Sequence, residues 1–567
     1  MEMSTTPRHP WLKTYPPRPD WHMQIKPGVV MQALDATAAK KPRARALDFL
    51  GKTYTWTDLH TAVNKFAAGL QSMDVRKGTK VGLFLPNCPL SLIAYYGILK
   101  TGATVVNYNP LYAHDELAYQ IEDSETDIMV TLDLEMLHEK MEKMLSGTRL
   151  EKLIVGKFTD FLPFPKNLLF PMVKGRDLAR ISPSEKRVIW LDDLMDNDGK
   201  VSEVEIDPLE DLAVLQYTGG TTGTPKGAML THMNIYANAV QCYANFPDPL
   251  EHEKMLGVLP FFHVFAMTVS MNMAVLAGME ILTIPRFDLK QTLDLIHKKK
   301  PRYMPAVPAI FSAINNHPKL ADYDLKSLEF CISGGAPLPV EVKKKFEEKT
   351  GCIVVEGYGL TESSPVVTVN PPFGENIAGS IGLPIPQTII EIVDPDDKTT
   401  LMPLGEKGEV CIRGPQVMKG YYNKPSETAN VLRPTDDGGV RLHTGDIATM
   451  DERGYTYIVD RIKDLIITNG YNVYPRHVEE AIYKHPNVEE CIVAGLPDAQ
   501  RGEIVKAWIK LKEGRELTAE ELKSFLEDKI SKIEIPKRIE FRDRPLPKTM
   551  IGKLSRKDIV AEELGQT

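Results

Sequence analysis

Residues 217–227, YTGGTTGTPKG, gather small and hydroxylated side chains ahead of a lysine. Glycines let the backbone take positive φ and approach a ligand closely, so successive N–H groups converge on an anion and threonine hydroxyls add donors. The chemistry expected of Thr218, Gly219, Gly220, Thr221, Thr222, Gly223 and Lys226 is phosphate binding. A Walker A loop ends in Gly-Lys-Ser/Thr, whereas Lys226 stands between Pro225 and Gly227. No magnesium-binding hydroxyl follows it, which disfavours a P-loop NTPase. The plain alternative is a flexible Gly/Thr linker. Strand-like LAVLQY before the loop and helix-compatible THMNIYANAVQCYANF after it argue for a built site.

Five further stretches carry groups suited to a nucleotide. In EGYGLTESSP, Glu356 to Pro365, Glu362 is a hard oxygen ligand suited to magnesium, which binds a carboxylate together with substrate phosphate oxygens. Thr361 can donate to phosphate, and Tyr358 offers a flat face to a purine; a lone loop carboxylate is otherwise simply solvated. SGGAP, Ser333 to Pro337, ends a strand and either presents open backbone or makes a tight turn. HTGDIA sets Asp446 after a Thr-Gly turn, and DRIKD supplies Arg461. A carboxylate accepts both ribose hydroxyls and an arginine reaches ribose or phosphate; read singly, the two are a turn residue and a surface charge. LPKTMIGKLSRK places Lys553 close to the end of the chain, where a lysine is ordinarily solvated.

Together these motifs resemble the adenylate-forming family, which includes acyl-CoA synthetases, peptide-synthetase adenylation domains and beetle luciferase. YTGGTTGTPKGAMLTH resembles its phosphate loop, and EGYGLTESSPVVTVNP, GSIGLPIP, RGPQVMKGYY, HTGDIA and GYNVYPRHVEE follow in order. The likeness covers nearly the whole chain and is nearest to bacterial long-chain fatty acyl-CoA synthetases. It implies that Gly335, Ala336, Tyr358 and Gly359 line the nucleotide site, that Asp446 binds ribose with help from Arg461, and that Glu362 holds Mg2+. It implies that Lys463 is a hinge, that Gly470 borders the path of the CoA arm, and that Lys553 neutralises the adenylation transition state. The reaction implied joins a fatty acid to CoA through acyl-AMP, with ATP as cosubstrate. Dimerisation through the large domain is a further implication. LPFFHVFAMT matches the aromatic motif before the acyl pocket. Amino-acid-activating relatives carry an aspartate in this region, and here His263 and Val264 stand instead, so an α-ammonium would be buried unpaired. His263 is a core histidine or a neighbour of the substrate carboxylate. A medium-chain or aryl synthetase, an acyl-AMP ligase loading a carrier protein, or a luciferase-like oxidase would share the nucleotide motifs; a non-catalytic binding protein would not need Lys553.

The elements that must position these groups follow from the rest of the chain. At 567 residues, 43% hydrophobic and 25% charged, the protein exceeds what one core supports. A net charge of −8 argues against nucleic acid as partner. Six scattered cysteines without a CxxC pair read as reduced thiols of a cytoplasmic protein, and the proline-rich N-terminus lacks a secretory h-region. Residues from about 30 to 130 alternate helix-like and strand-like runs, which predicts βαβ units and a largely parallel sheet; the same texture resumes after Phe287. From about Gly379, short strands separated by Pro, Gly and Asp predict a small antiparallel subdomain. The fold class is thus α/β: a large N-terminal domain, 1–462, of parallel-sheet subdomains plus a β-rich subdomain, then a mobile α+β C-terminal domain, 463–567. Within the latter, Thr518 and Glu521 stand at capping-box spacing. The apolar window Ala266 to Ile284 predicts a buried helix and a core strand. KFTDFLPFPKNLLFPMVKGR, 157–176, is aromatic, proline-rich and basic: a loop packed on the protein's own surface, or a peripheral contact with the anionic inner face of the cytoplasmic membrane.

Overall fold

The computed structural model describes residues 9–182, 185–218, 224–246, 253–469, 471–498, 500–549 and 553–565. Among them an eight-stranded sheet runs Gly420–Tyr421, Lys226–Thr231, Leu212–Thr218, Thr104–Asn107, Lys80–Leu83, Ile128–Leu132, Lys152–Gly156, Val188–Trp190. From Leu212–Thr218 outward the pairs are parallel. Thr104–Asn107 and Ile128–Leu132 are buried at every residue, as strands covered on both faces must be. A nine-stranded sheet runs Leu383–Pro384, Val366–Val369, Ile353–Gly359, Phe330–Ser333, Tyr303–Ala306, Lys254–Gly257, Glu280–Thr283, Arg45–Phe49, Lys52–Thr55, with its central strands again parallel. In open α/β sheets ligands bind beyond the carboxyl ends of the strands. Thr218, Ser333 and Gly359 are such ends, and His263 follows the end of Lys254–Gly257.

One local reading changes. Arg45–Phe49 and Lys52–Thr55 form an antiparallel hairpin rather than opening a βαβ unit. Leu50 and Gly51 both take positive φ (53° and 100°), the two-residue turn that matches strand twist. The hairpin joins the nine-stranded sheet, while the next strands join the other. Leu212–Thr218 pairs antiparallel with Lys226–Thr231 across the phosphate loop, and helix His232–Ala244, capped by Thr231, begins where the helix-compatible run was read.

Ile389–Val393, Gly408–Arg413, Val440–Met450, Leu432–Pro434 and Thr456–Arg461 form the expected antiparallel sheet. One apolar core extends from Trp11 to Tyr455. The C-terminal segment builds its own five-stranded sheet and its own apolar clusters between Ile466 and Ile559. Its helix Ala519–Leu526 opens on the expected capping box, with Thr518 Oγ1 accepting from Glu521 N–H and Glu521 Oε2 from Thr518 N–H. Ala266–Asn272 is a π-helical turn followed by helix Met273–Ala277 and strand Glu280–Thr283, almost all buried. No helix among the described residues is long and apolar enough to cross a membrane. All six cysteines are free and buried. Cys411 faces His443 across a strand pair, and Nδ1 of His443 lies 3.3 Å from Cys411 Sγ and 2.7 Å from Glu409 Oε2, a contact invisible in sequence spacing.

Candidate active site

The last pair of the phosphate-loop hairpin is Thr218 opposite Lys226, so these two frame the loop's mouth. Gly219, Gly220, Thr221, Thr222 and Gly223 lie outside the described residues, as does Gly470. Lys226 Nζ donates to Glu427 Oε2 at 2.5 Å and sits 4.7 Å above the ring of Tyr421. Tyr421 is held there because Gly420–Tyr421 pairs with Ala228 and Met229 of the strand that Lys226 begins. Its hydroxyl donates to Glu362 Oε1 at 2.6 Å. One tyrosine therefore joins the phosphate-loop lysine to the carboxylate proposed for magnesium. Neither Tyr421 nor Glu427 was singled out from sequence; the available signal was Tyr421's place in RGPQVMKGYY.

Glu362 and Thr361 lie on a single helical turn, Thr361–Ser363, that begins as strand Ile353–Gly359 ends. Gly359 is required at that corner, since a Cβ there would stand 2.0 Å from the Pro365 carbonyl oxygen. Gly335, with φ of 78°, and Ala336 follow strand Phe330–Ser333, and Gly334 lets the backbone close on the Phe265 ring, with a Cβ position 3.0 Å away.

Asp446 and Arg461 are opposite one another in the pairing of Val440–Met450 with Thr456–Arg461. Arg461 Nε forms an ion pair with Asp446 Oδ1 at 3.0 Å, and the Tyr358 hydroxyl donates to Oδ2 at 2.6 Å. The buried carboxylate is thus charge-paired and orients the Tyr358 ring. Burial, reinforced by Asp446, raises the pKa of Tyr358, so the phenol stays protonated.

Lys553 comes to this same place from the end of the chain. Its carbonyl accepts from Thr549 N–H at 2.6 Å, closing a tight backbone pairing. Burial, and next the nearby Arg461 guanidinium, bring its ammonium pKa down to about 8, while Asp446 pulls the other way. The lysine is therefore an electrostatic neighbour of the Asp446–Arg461 pair, not a solvated tail residue. Lys463 is likewise lowered by burial and Arg461.

Lys226, Glu362, Thr361, Asp446, Arg461, Lys463 and Lys553 all line one continuous cleft of about 3390 Å³. The cleft continues past His263 to apolar walls that include Cys242, Phe246, Val269, Val307 and Phe330. Burial lowers the pKa of His263 to about 4, so the ring is neutral at physiological pH. Its Nδ1 accepts from Phe265 N–H at 3.3 Å, which leaves the proton on Nε2, a donor. A cleft lined both by cations and carboxylates and by apolar side chains can hold a nucleotide triphosphate together with an aliphatic acid.

Relatives of known name agree with that chemistry. The family model for AMP-binding enzymes matches residues 34–422, and that for the AMP-binding enzyme C-terminal domain matches residues 477–553. The long-chain-fatty-acid–CoA ligase of Bacillus subtilis (strain 168) is 44% identical over 557 residues, covering 98% of each chain. ATP-bound MatB from Rhodopseudomonas palustris superimposes with a TM-score of 0.82 at 26% identity, covering 94% of this chain and 98% of that one. Apo MatB from the same organism gives 0.72 at 27% identity, covering 94% and 99%. The chain belongs to the AMP-binding enzyme family, whose members form acyl-adenylates from ATP.

Proposed function

We propose that this chain is an ATP-dependent, AMP-forming long-chain fatty acid–CoA ligase. The observation that carries the reading is the convergence of Lys226, Glu362, Asp446, Arg461 and Lys553 on one cleft with an apolar extension.

A fatty carboxylate oxygen attacks the α-phosphorus of ATP, the α–β phosphoanhydride bond breaks, and pyrophosphate leaves. Lys226 exchanges Glu427 for the leaving phosphate oxygens and acts with Thr218 and the loop 219–223. Asp446 and Arg461 hold the ribose; Tyr358, pinned by Asp446, lays its ring against the adenine, with Gly335, Ala336 and Gly359 alongside. Glu362, oriented by the Tyr421 hydroxyl and flanked by Thr361, fits magnesium as one hard carboxylate at the phosphate end of the cleft. When bound, that ion neutralises charge on the departing phosphates. His263 Nε2–H donates to the substrate carboxylate and sets its angle of approach. Lys553 faces the charge that builds between carboxylate and α-phosphate. No side-chain nucleophile is needed, because positioning and charge stabilisation carry the step.

For the second step the CoA thiol attacks the acyl carbonyl and AMP leaves. We assign 1–462 and 463–567 as the two domains, with Lys463 as the hinge whose rotation withdraws Lys553 and brings Gly470 to the CoA arm. The same reading places the enzyme in the cytoplasm, as a pair of copies joined through the large domain, with peripheral contact to the bilayer through 157–176. The test is product formation with and without CoA. Acyl-CoA and AMP in equal amounts, formed only when CoA is present, support the ligase; acyl-AMP handed to a carrier protein in preference to CoA overturns it.

A further inference from the structure

Both stems of the phosphate loop are tied to one carboxylate outside the cleft. Asp123 lies in the last turn of helix His114–Ser124, and its side chain is 9% exposed. The helix dipole opposes an acid at that end, so the position calls for partners from elsewhere in the chain. The Tyr217 hydroxyl donates to Asp123 Oδ2 at 2.7 Å, and Lys424 Nζ donates to Oδ1 at 2.8 Å. The Tyr119 hydroxyl stands 3.2 Å from Oδ1 and 3.0 Å from the Pro225 carbonyl, and shares its one proton between them. Tyr217 directly precedes Thr218 on the way into the loop, and Pro225 directly precedes Lys226 on the way out. Across the strand pair Tyr217 stands opposite Gly227, where a Cβ would come within 3.1 Å of the tyrosine ring, so glycine lets that ring lie over the returning strand. Burial, and next the Asp123 carboxylate, raise the pKa of Tyr217, which stays protonated and a donor. Tyr217, Thr218, Thr224 and Lys226 line the cleft, while Asp123, Tyr119 and Lys424 stand outside its walls. Lys424 there offsets a negative charge that would otherwise oppose bound phosphate.

We propose that Asp123 is a positioning residue of the phosphate loop: holding Tyr217 directly and Pro225 through Tyr119, it sets the separation of the two stems and so aims Thr218 and Lys226 at the β- and γ-phosphates of ATP. The inference rests on the ligase reading of that loop. AMP supplies the control, because it shares the adenine, ribose and α-phosphate but offers nothing to groups that grip the outer phosphates. The full-length enzyme and its variants D123A and Y119F are compared by calorimetric binding of ATP and of AMP. Single-turnover pyrophosphate release and thioester formation from preformed acyl-AMP are measured alongside. D123A should bind ATP about tenfold more weakly, the scale of a lost hydrogen bond to a charged group, while AMP affinity stays within about twofold. Adenylation at subsaturating ATP should fall in proportion, and thioester formation should stay near wild type. Y119F removes one hydroxyl and leaves the carboxylate in place, so it should lose about two- to fivefold on ATP alone. The double variant D123A/Y119F should lose less than the product of the two, since both residues hold the same stem. ATP and AMP affinities that fall together mark a general packing defect and overturn the proposal, as does unchanged ATP affinity in Y119F. That second variant decides the matter by the same criteria if D123A does not fold. Wild-type enzyme without measurable ATP binding would overturn the ligase reading and this inference together, whereas full ATP binding in both variants overturns this inference alone.

Discussion

Replacing Lys553 by alanine removes a cation that lines the cleft from near the end of the chain. The expected loss is set by what a preorganised charge gives a developing anion in a water-poor site, about 10²–10³ in rate for one such group. Ground-state binding should barely change, because Lys226, Arg461, Asp446 and Glu362 remain in place. Adenylation is read by single-turnover pyrophosphate release, ATP affinity by equilibrium binding, and the thioester step by supplying preformed acyl-AMP with CoA. Adenylation should fall by two to three orders of magnitude, with ATP affinity within about threefold and the thioester step near wild type. The pH dependence has a definite sign. With a pKa lowered to about 8, the ammonium is present below that value and lost above it, so kcat/KM for ATP should fall as pH rises through about 8. Bound phosphate anions favour the charged form, so the limb for the single-turnover rate should lie higher. Lys553→Arg, charged throughout, should lose the alkaline limb while keeping measurable adenylation. An alanine variant within twofold of wild type, or one whose ATP affinity falls as much as its rate, would refute this assignment.

Three other perturbations follow from the geometry. Glu427→Gln removes the carboxylate that pairs with Lys226; as the pair is partly exposed and worth at most about 1 kcal/mol, KM for ATP should fall by about two- to fivefold with kcat unchanged. Tyr421→Phe keeps the ring under Lys226 but frees Glu362, so the magnesium concentration for half-maximal rate should rise by about tenfold, measured by metal titration of pyrophosphate release. Gly359→Ala forces a methyl against the Pro365 carbonyl, which should cost roughly 1–3 kcal/mol by denaturant unfolding and shift Glu362 enough to lower adenylation.

How much was legible in sequence depends on the range of the cause. Local signals held: the Thr518–Glu521 capping box, the strand that ends at Ser333 and the buried helix and strand of the apolar window 266–284 all depend on neighbours within a few residues. The Leu50–Gly51 turn did not, because leucine gives no hint of left-handed backbone. The site was legible as separate motifs through their likeness to a family, yet not as an assembly. Tyr358 and Asp446 are 88 residues apart, and Lys226 and Glu427 are 201. Tyr421 is an ordinary aromatic in a run of its own kind until pairing with Ala228 lays it under Lys226. For Lys553 the residue type alone suggested solvent, and burial, with Arg461 near by, gives it a depressed pKa.

The central claim is that one cleft joins a nucleotide end to an apolar acyl end. It is tested most directly by pyrophosphate release from ATP and magnesium across saturated acids of about 2 to 18 carbons, with and without CoA, since each buried methylene should add about 0.8 kcal/mol until the pocket is full. The account predicts that kcat/KM rises with chain length to an optimum among long acids and that full turnover needs CoA. An optimum among short or aromatic acids, or full turnover without CoA, would contradict it.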